Sequence, residues 1–191
     1  MNAIVTSPSP GTAQRPAGLH ASSALAVAAE PAQYLTFLLG GEMFAIGILA
    51  IKEIIEYHGL TEVPMMPECV RGVINLRGAV VPVMDLLSRF QRPSSAVTKR
   101  TCIVIVEVQG PEDRHVIGVV VDSVSEVLDI APTDIEPPPT FGAQMRADFI
   151  QGMGKVKGKF VILLSVDHVL SIDEIGSMGR SAELAAPAMG N

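Results

Sequence analysis

Tryptophan is absent from this 191-residue chain, and all aromatic residues together make up only 4% of it. Proteins that bind single-stranded nucleic acid stack the bases on aromatic side chains, and binding to the phosphate backbone needs a stripe of basic residues. The net charge here is −6. The composition therefore predicts no nucleic-acid partner.

Cysteine is almost as scarce, since only Cys69 and Cys102 occur. Neither has a second ligand at metal-binding spacing, so free thiols in a reducing cytosol are expected. No apolar run approaches the roughly 18 residues of a membrane-spanning helix. Residues 25–29 resemble the end of a cleaved signal peptide only faintly, and a disordered tail is favoured there. The sequence predicts a cytoplasmic protein.

Recognisable catalytic motifs are also missing. The chain has no Gly-x-Ser-x-Gly elbow, no phosphate-binding Gly-x-x-x-x-Gly-Lys loop and no histidine at metal-ligand spacing from a cysteine or carboxylate. The run 152–155 begins as Gly-x-Gly but lacks the third glycine, which favours a β-hairpin over a phosphate site. We therefore predict no enzyme activity, no cofactor and no metal, and a binding module instead.

Apolar residues are plentiful, at 48% of the chain with a mean hydropathy of +0.39, whereas charged residues are 18%. Soluble proteins average roughly 25% charged residues. A large core is expected, and two explanations of the low charged fraction stay open: apolar surface that meets partners, or a richly buried core. Composition divides the chain into a disordered tail at 1–32, one ordered domain at 33–175 and a mobile tail at 176–191.

Within the ordered domain, short β-rich runs alternate with glycine and proline, which is typical of an all-β fold. Gly40-Gly41 predicts a hairpin turn, and the four prolines of 131–140 predict a loop. A short helical turn and then a strand starting at Ile51 are predicted from the run 48–57. Strands are expected at 34–39, 42–46, 101–108, 116–121 and 124–128, a last hairpin at 150–156 and 160–166, and short helices at 86–90, 143–149 and 166–172.

The most informative stretch is 69–86, which predicts strand, glycine turn and strand. Alternation places Val70, Gly72, Ile74 and Leu76 on an apolar face. The opposite face carries Arg71, Val73, Asn75 and Arg77. Two readings stay open for its arginines: a docking face, or a solvated face on which they pair with Glu53 or Glu56. Pro82 suggests an edge position for the second strand.

A repeat of about eighty residues underlies the chain. Gly72 and Gly78 recur as Gly152 and Gly158, and a β-rich run follows each pair. Arg77 aligns with Lys157. The segment 52–56 is echoed at 125–129, with a slip of two residues in the alignment. Duplication of a unit of about five short strands is indicated, and two such units suit two small barrels on a shared core.

The motif Gly72-Val73-Ile74-Asn75-Leu76-Arg77-Gly78, followed by Val-Pro-Val-Met-Asp-Leu at 81–86, resembles the CheW-type chemotaxis coupling proteins. The likeness extends over 33–172. It implies an all-β fold of two SH3-like five-stranded barrels packed on a shared core with short helices. The first barrel is expected at about 33–90 and the second at about 100–172.

The resemblance also implies a non-catalytic adaptor in signalling arrays. Its partners would be the cytoplasmic tips of methyl-accepting chemotaxis receptors and the regulatory domain of the histidine kinase CheA, with membrane association only through receptors. Carried over by position, Ile51, Glu53, Gly72 and Arg77 would face the receptor. Asn75, which shares the polar strand face with Arg77, is also predicted to bind the receptor. The second barrel would contribute most to one kinase interface, whose residues the sequence leaves unassigned.

Two departures from the family pattern stand out. Position 69 is Cys where Phe is frequent, and position 87 is Leu where Arg is frequent. The first bears on the choice of receptor more than on the fold. The alternative to an adaptor is a small-molecule-binding or enzymatic β-barrel protein that uses the groove between the two halves.

Overall fold

The computed structural model describes residues 30–110, 112–138 and 145–177. The predicted tails therefore lie mainly outside the described residues. Within these ranges the chain forms eleven strands and two short α-helices, in chain order β1 Ala32–Leu39, β2 Glu42–Gly47, β3 Ile51–Glu56, β4 Val70–Leu76, β5 Ala79–Asp85, α1 Leu86–Arg89, β6 Cys102–Gln109, β7 Arg114–Val121, β8 Ser123–Ile130, β9 Ile135–Glu136, β10 Ile150–Val156, β11 Lys159–Leu164 and α2 Val166–Val169. Residues 172–177 form one further helical segment, called the C-terminal helix below.

Most local predictions are confirmed. Gly40 and Gly41 both have positive φ and join β1 to β2. A 3₁₀ turn at Ile48–Ala50 precedes β3, as the run 48–57 predicted. The predicted loop at 131–140 is wrong in part, because it contains a 3₁₀ turn at Pro132–Asp134 and the two-residue β9, which pairs with β10. Of the predicted helix at 143–149, residues 143–144 lie outside the described residues, and within 145–149 a 3₁₀ turn covers Ala147–Phe149.

Each of the two sheets combines strands from both halves of the chain. One has the order β3-β6-β7-β5-β4, and the other β8-β1-β2-β11-β10-β9. The first hairpin of each repeat is thus inserted into the barrel of the other repeat. This corrects the predicted division at about 33–90 and about 100–172, since β1 and β2 belong with the later strands and β6 and β7 with the earlier ones. Strand patterns give no signal for such an exchange, because a hairpin pairs equally well in either barrel.

The cores explain why two such small units are stable together. The largest apolar cluster lies between the two sheets and contains side chains of both, including Phe37, Phe44, Val106, Val119 and Phe149. Two smaller clusters fill the separate barrels. The prediction of two SH3-like barrels on a shared core is confirmed, but the predicted number of five strands is right for only one sheet, because the two-residue β9 adds a sixth strand to the other. Exchange of hairpins and a common core make the two barrels one cooperative unit.

A bulge in β4 changes the predicted faces of the central stretch. Val70 pairs with Met84, but Gly72 pairs with Val83, so Arg71 is an extra residue. A bulge of one residue reverses the alternation beyond it. As a result Val70 packs in the core between the sheets, whereas Ile74 and Leu76 pack inside their own barrel. The prediction that these three share a face is therefore wrong for Val70.

The edge position predicted from Pro82 is wrong for β5 as a strand, which lies between β4 and β7, but Pro82 itself lies in a stretch that is not paired with β7. The parallel ladder of β5 with β7 covers only Val83–Asp85 and Gly118–Val120. Pro82 therefore stands just before that ladder begins. A proline is tolerated there because no hydrogen bond to β7 requires a backbone N–H at this position.

Candidate docking site

A bidentate ion pair on the barrel formed by β3 to β7 joins Glu53 to Arg77. Two nitrogens of the Arg77 guanidinium donate to the two carboxylate oxygens of Glu53, at 2.9 and 2.8 Å. Glu53 lies on β3 and Arg77 follows β4, and these are the two outermost strands of one sheet. The pair therefore bridges the two edges of the barrel. The Arg77 side chain is 78% exposed and that of Glu53 25%, so the cation faces solvent.

The turn after β4 holds Arg77 in this position. Arg77 has a φ of 52° and Gly78 a φ of 89°, as a two-residue type I′ hairpin turn requires. The side-chain oxygen of Asn75 accepts a hydrogen bond of 2.8 Å from the Gly78 amide. Asn75 is itself exposed. It therefore fixes the turn that presents Arg77 and also contributes to the surface.

Gly72 has a different position from the other predicted site residues, because it is buried. The amide of Val73 donates to the Thr61 carbonyl, and the amide of Thr61 donates to that of Val73. A Cβ added at Gly72 would lie 2.5 Å from the Thr61 oxygen, and its φ is +150°. Gly72 thus allows the segment around Thr61 to pack against β4. It contributes to the shape of the site and not to its exposed surface.

Ile51 completes the predicted receptor set, and Arg71 is the remaining arginine of the predicted polar face. Ile51 is half-buried at the start of β3 and packs against the core between the sheets. Arg71 lies in the bulge, and its guanidinium is 3.6 Å from the buried carboxylate of Asp85. Asp85 in turn accepts from the amides of Leu87 and Ser88 at the start of α1. The structure therefore groups Ile51, Glu53, Asn75 and Arg77 on one barrel and assigns Arg71 to an internal contact.

The repeat places an equivalent acid–base pair on the other barrel. Lys157 and Gly158 have φ values of 49° and 78° in the turn between β10 and β11, matching Arg77 and Gly78. The Lys157 ammonium lies 3.9 Å from a carboxylate oxygen of Glu126 on β8. Glu126 aligns with Glu53 in the repeat. Alignment of Arg77 with Lys157 pointed to this pair, but only the fold shows that Glu126 completes it.

Exposed apolar residues also occupy equivalent positions in the two repeats. Ile54 follows Glu53 and Val127 follows Glu126, and both are exposed. Val80 and Phe160 each stand two residues after the turn glycine, with exposures of 73% and 51%. Exposed residues of this size are typical of surfaces that contact other proteins. Sequence reasoning missed this set, because strand alternation alone did not separate solvent-facing from core-facing apolar residues.

Other chemistry is not apparent in the described parts of the chain. Among these residues no group of three or more His, Cys, Asp or Glu side chains is placed to hold a metal ion. Burial raises the pKa of the Cys69 thiol, which disfavours its reactive thiolate form. No helix in the described ranges has the length and hydropathy to cross a membrane.

The fold is a double β-barrel that carries a related acid–base pair on each barrel. A family model described as the CheW-like domain matches residues 33–174. The chain belongs to this family, and the predicted chemotaxis coupling adaptor is confirmed at the level of the family.

Individual relatives agree with this assignment. The chemotaxis protein CheW of Klebsiella aerogenes is 31% identical over 167 residues, which cover 87% of this chain and 98% of the relative. That of Helicobacter pylori is 33% identical, with coverages of 75% and 84%. Among solved structures, the scaffolding protein TtCheW from Thermoanaerobacter tengcongensis superposes with a TM-score of 0.66 at 32% identity, covering 73% of this chain and 87% of that one.

Proposed function

We propose that this chain is a cytoplasmic, non-catalytic adaptor that couples the tips of chemotaxis receptors to the histidine kinase CheA in signalling arrays. The observation that carries the proposal is the pair of related surfaces, one containing Glu53 and Arg77 and the other Glu126 and Lys157. An adaptor needs at least two surfaces that bind different partners at once. Weak contacts at each would be strengthened by the many copies of an array.

The receptor surface consists of Ile51, Glu53, Asn75 and Arg77. The buried Gly72 allows the close packing of β4 against Thr61 beneath this surface. Arg77 offers a planar cation whose carboxylate partner leaves most of it exposed, and arginine is enriched at energetically important interface positions. The kinase surface is the equivalent region of the second barrel, where Val127, Lys157 and Phe160 are exposed. Because the kinase regulatory domain is expected to share this fold, contact between like barrels is the simplest arrangement.

The coupling itself would be thermodynamic. An adaptor that holds receptor and kinase in fixed register allows a change of receptor state to bias the equilibrium between kinase states. No bond needs to be made or broken in the adaptor. This agrees with a receptor surface composed of an arginine paired with a glutamate, an amide and an apolar side chain.

Co-sedimentation of the purified chain with receptor-containing membranes and kinase tests the proposal. Arg77→Glu should weaken sedimentation with receptor membranes alone and leave capture by immobilised kinase unchanged, and Lys157→Glu should do the reverse. Loss of neither interaction in either variant would overturn the site assignment. If the wild-type chain binds neither partner and a small molecule raises its melting temperature, the alternative function, a small-molecule-binding β-barrel protein, is favoured instead.

A further inference from the structure

An apolar groove lies where strands β5 and β7 part. Their parallel ladder begins at Val83 and Gly118. Before it, Ala79–Pro82 of β5 and Arg114–Ile117 of β7 would be opposite each other if the register continued, yet no pairing joins them. These two four-residue stretches line a groove of about 430 Å³. Each of them is paired on its other side, to β4 and to β6.

Two properties make this groove suited to an extended segment of polypeptide. Backbone edges left without a ladder partner are sites where a further strand can add. The remaining walls supply apolar contacts from Met66, Val70, Met84 and the C-terminal helix. Val80 at its rim is 73% exposed. A segment lying in the groove would therefore gain both backbone hydrogen bonds and apolar burial.

The C-terminal end of the described chain lies at this groove. Ile172, Ile175 and Gly176 of the C-terminal helix form one wall. That helix is held in place by Ile175, which is buried, and by Glu174, which pairs with Arg89 and Arg146. The described structure ends at Ser177, one residue beyond the wall, and the sequence continues through 178–191.

We propose that residues 178–191 occupy the groove as an extended segment. The groove stretch of four strand residues is about 13 Å long, and fourteen residues can reach about 46 Å. Length is therefore no obstacle. Met178, Leu184 and Met189 provide apolar side chains for the walls. Because the segment is tethered at the groove, its effective concentration there is in the millimolar range, so even weak contacts suffice. The inference goes beyond the adaptor role, since it concerns the chain alone.

Site-specific photo-crosslinking in the full chain tests this occupant. A benzophenone amino acid replaces Val80 in one variant, and in the matched control it replaces Phe160, the equivalent residue of the other hairpin. The expected result is an intramolecular cross-link from position 80 to residues 178–191, identified by mass spectrometry, with a yield several-fold above that from position 160. The yield should not depend on protein concentration.

The tail variant Met178→Ser/Leu184→Ser/Met189→Ser should reduce that yield several-fold without changing the melting temperature. Equal yields from positions 80 and 160 would overturn the proposal, because they would indicate unspecific collisions. Absence of any cross-link to 178–191 would overturn it as well. Cross-links that form only between chains, with a yield rising with concentration, would assign the groove to a second copy and likewise contradict it.

Discussion

Arg77 and Glu53 are 24 residues apart in the chain, and their bidentate contact joins the two edge strands of one barrel. The same residues are the centre of the proposed receptor surface. Arg77 therefore has two roles, which are closure of the barrel and presentation of a cation. The following substitutions separate residues that bind from residues that shape the site.

Charge reversal should distinguish the two roles of Arg77. Arg77→Glu removes an exposed ion pair and places two carboxylates together, which should cost about 1 kcal/mol of unfolding free energy. The double variant Glu53→Arg/Arg77→Glu restores the pair with reversed polarity and should recover most of that loss. Receptor binding should stay weak in both variants. Urea unfolding and receptor co-sedimentation measure the two effects, and recovered binding in the double variant would show that Arg77 acts only through the pair.

Gly72→Ala should destabilise the protein by about 1–3 kcal/mol. Its Cβ would meet the Thr61 carbonyl at 2.5 Å, and the φ of +150° is unfavourable for alanine. Gly59→Ala is the matched control, since a Cβ there meets nothing within 4 Å and its φ is ordinary. Thermal unfolding of both variants checks the prediction, which equal melting temperatures would contradict.

Asn75→Ala should loosen the turn that presents Arg77, because it removes the acceptor of the Gly78 amide. A loss of about 0.5–1.5 kcal/mol in unfolding free energy is expected for one such hydrogen bond. Asn75→Asp keeps the acceptor and should retain the stability of the wild type. If Asn75→Asp is as unstable as Asn75→Ala, the hydrogen bond to Gly78 is not what stabilises the turn.

Arg89→Met should be among the more destabilising substitutions of a charged residue. The Arg89 side chain is only 4% exposed, donates to the Val169 carbonyl, pairs with Glu174 and lies over the Phe149 ring. Loss of a buried charged partner costs about 3–5 kcal/mol when it leaves an unpaired charge. Glu174 keeps Arg146, so a loss of about 2–3 kcal/mol is expected. Arg92→Met, which breaks only the exposed pair with Glu42, should cost less than about 1 kcal/mol.

Acid should weaken the attachment of the C-terminal helix. Hydrogen bonds from Arg146 lower the pKa of Asp148 and, together with those from Arg89, that of Glu174. A lowered pKa in the folded state gives stability that is present above the unfolded value of about 4 and is lost as the pH falls through the folded value. The urea midpoint should therefore decrease as the pH falls below about 4. Glu174→Gln should show a smaller decrease, and an identical profile would exclude a contribution from Glu174.

Much of the fold followed from local patterns. Glycine pairs, alternating β-rich runs and the eighty-residue repeat predicted the hairpins, the barrels and the shared core. Pairing of Arg77 with Glu53 is one of the contacts that the solvated-face reading predicts, with Glu56 as the alternative partner. The turns and strands could be predicted because they depend on residues that are neighbours in the sequence. The repeat could be detected because its two copies share a spacing of glycines in the sequence.

The sequence by itself therefore determined the all-β class, the family and most of the candidate docking residues. The tertiary structure alone decided that hairpins are exchanged between barrels, that a bulge separates Arg71 from Arg77, and that Gly72 is buried beneath Thr61. Each of these depends on which strands lie side by side. Pairing partners far apart in the chain leave no local pattern, because the same strand sequence can satisfy its hydrogen bonds against several neighbours.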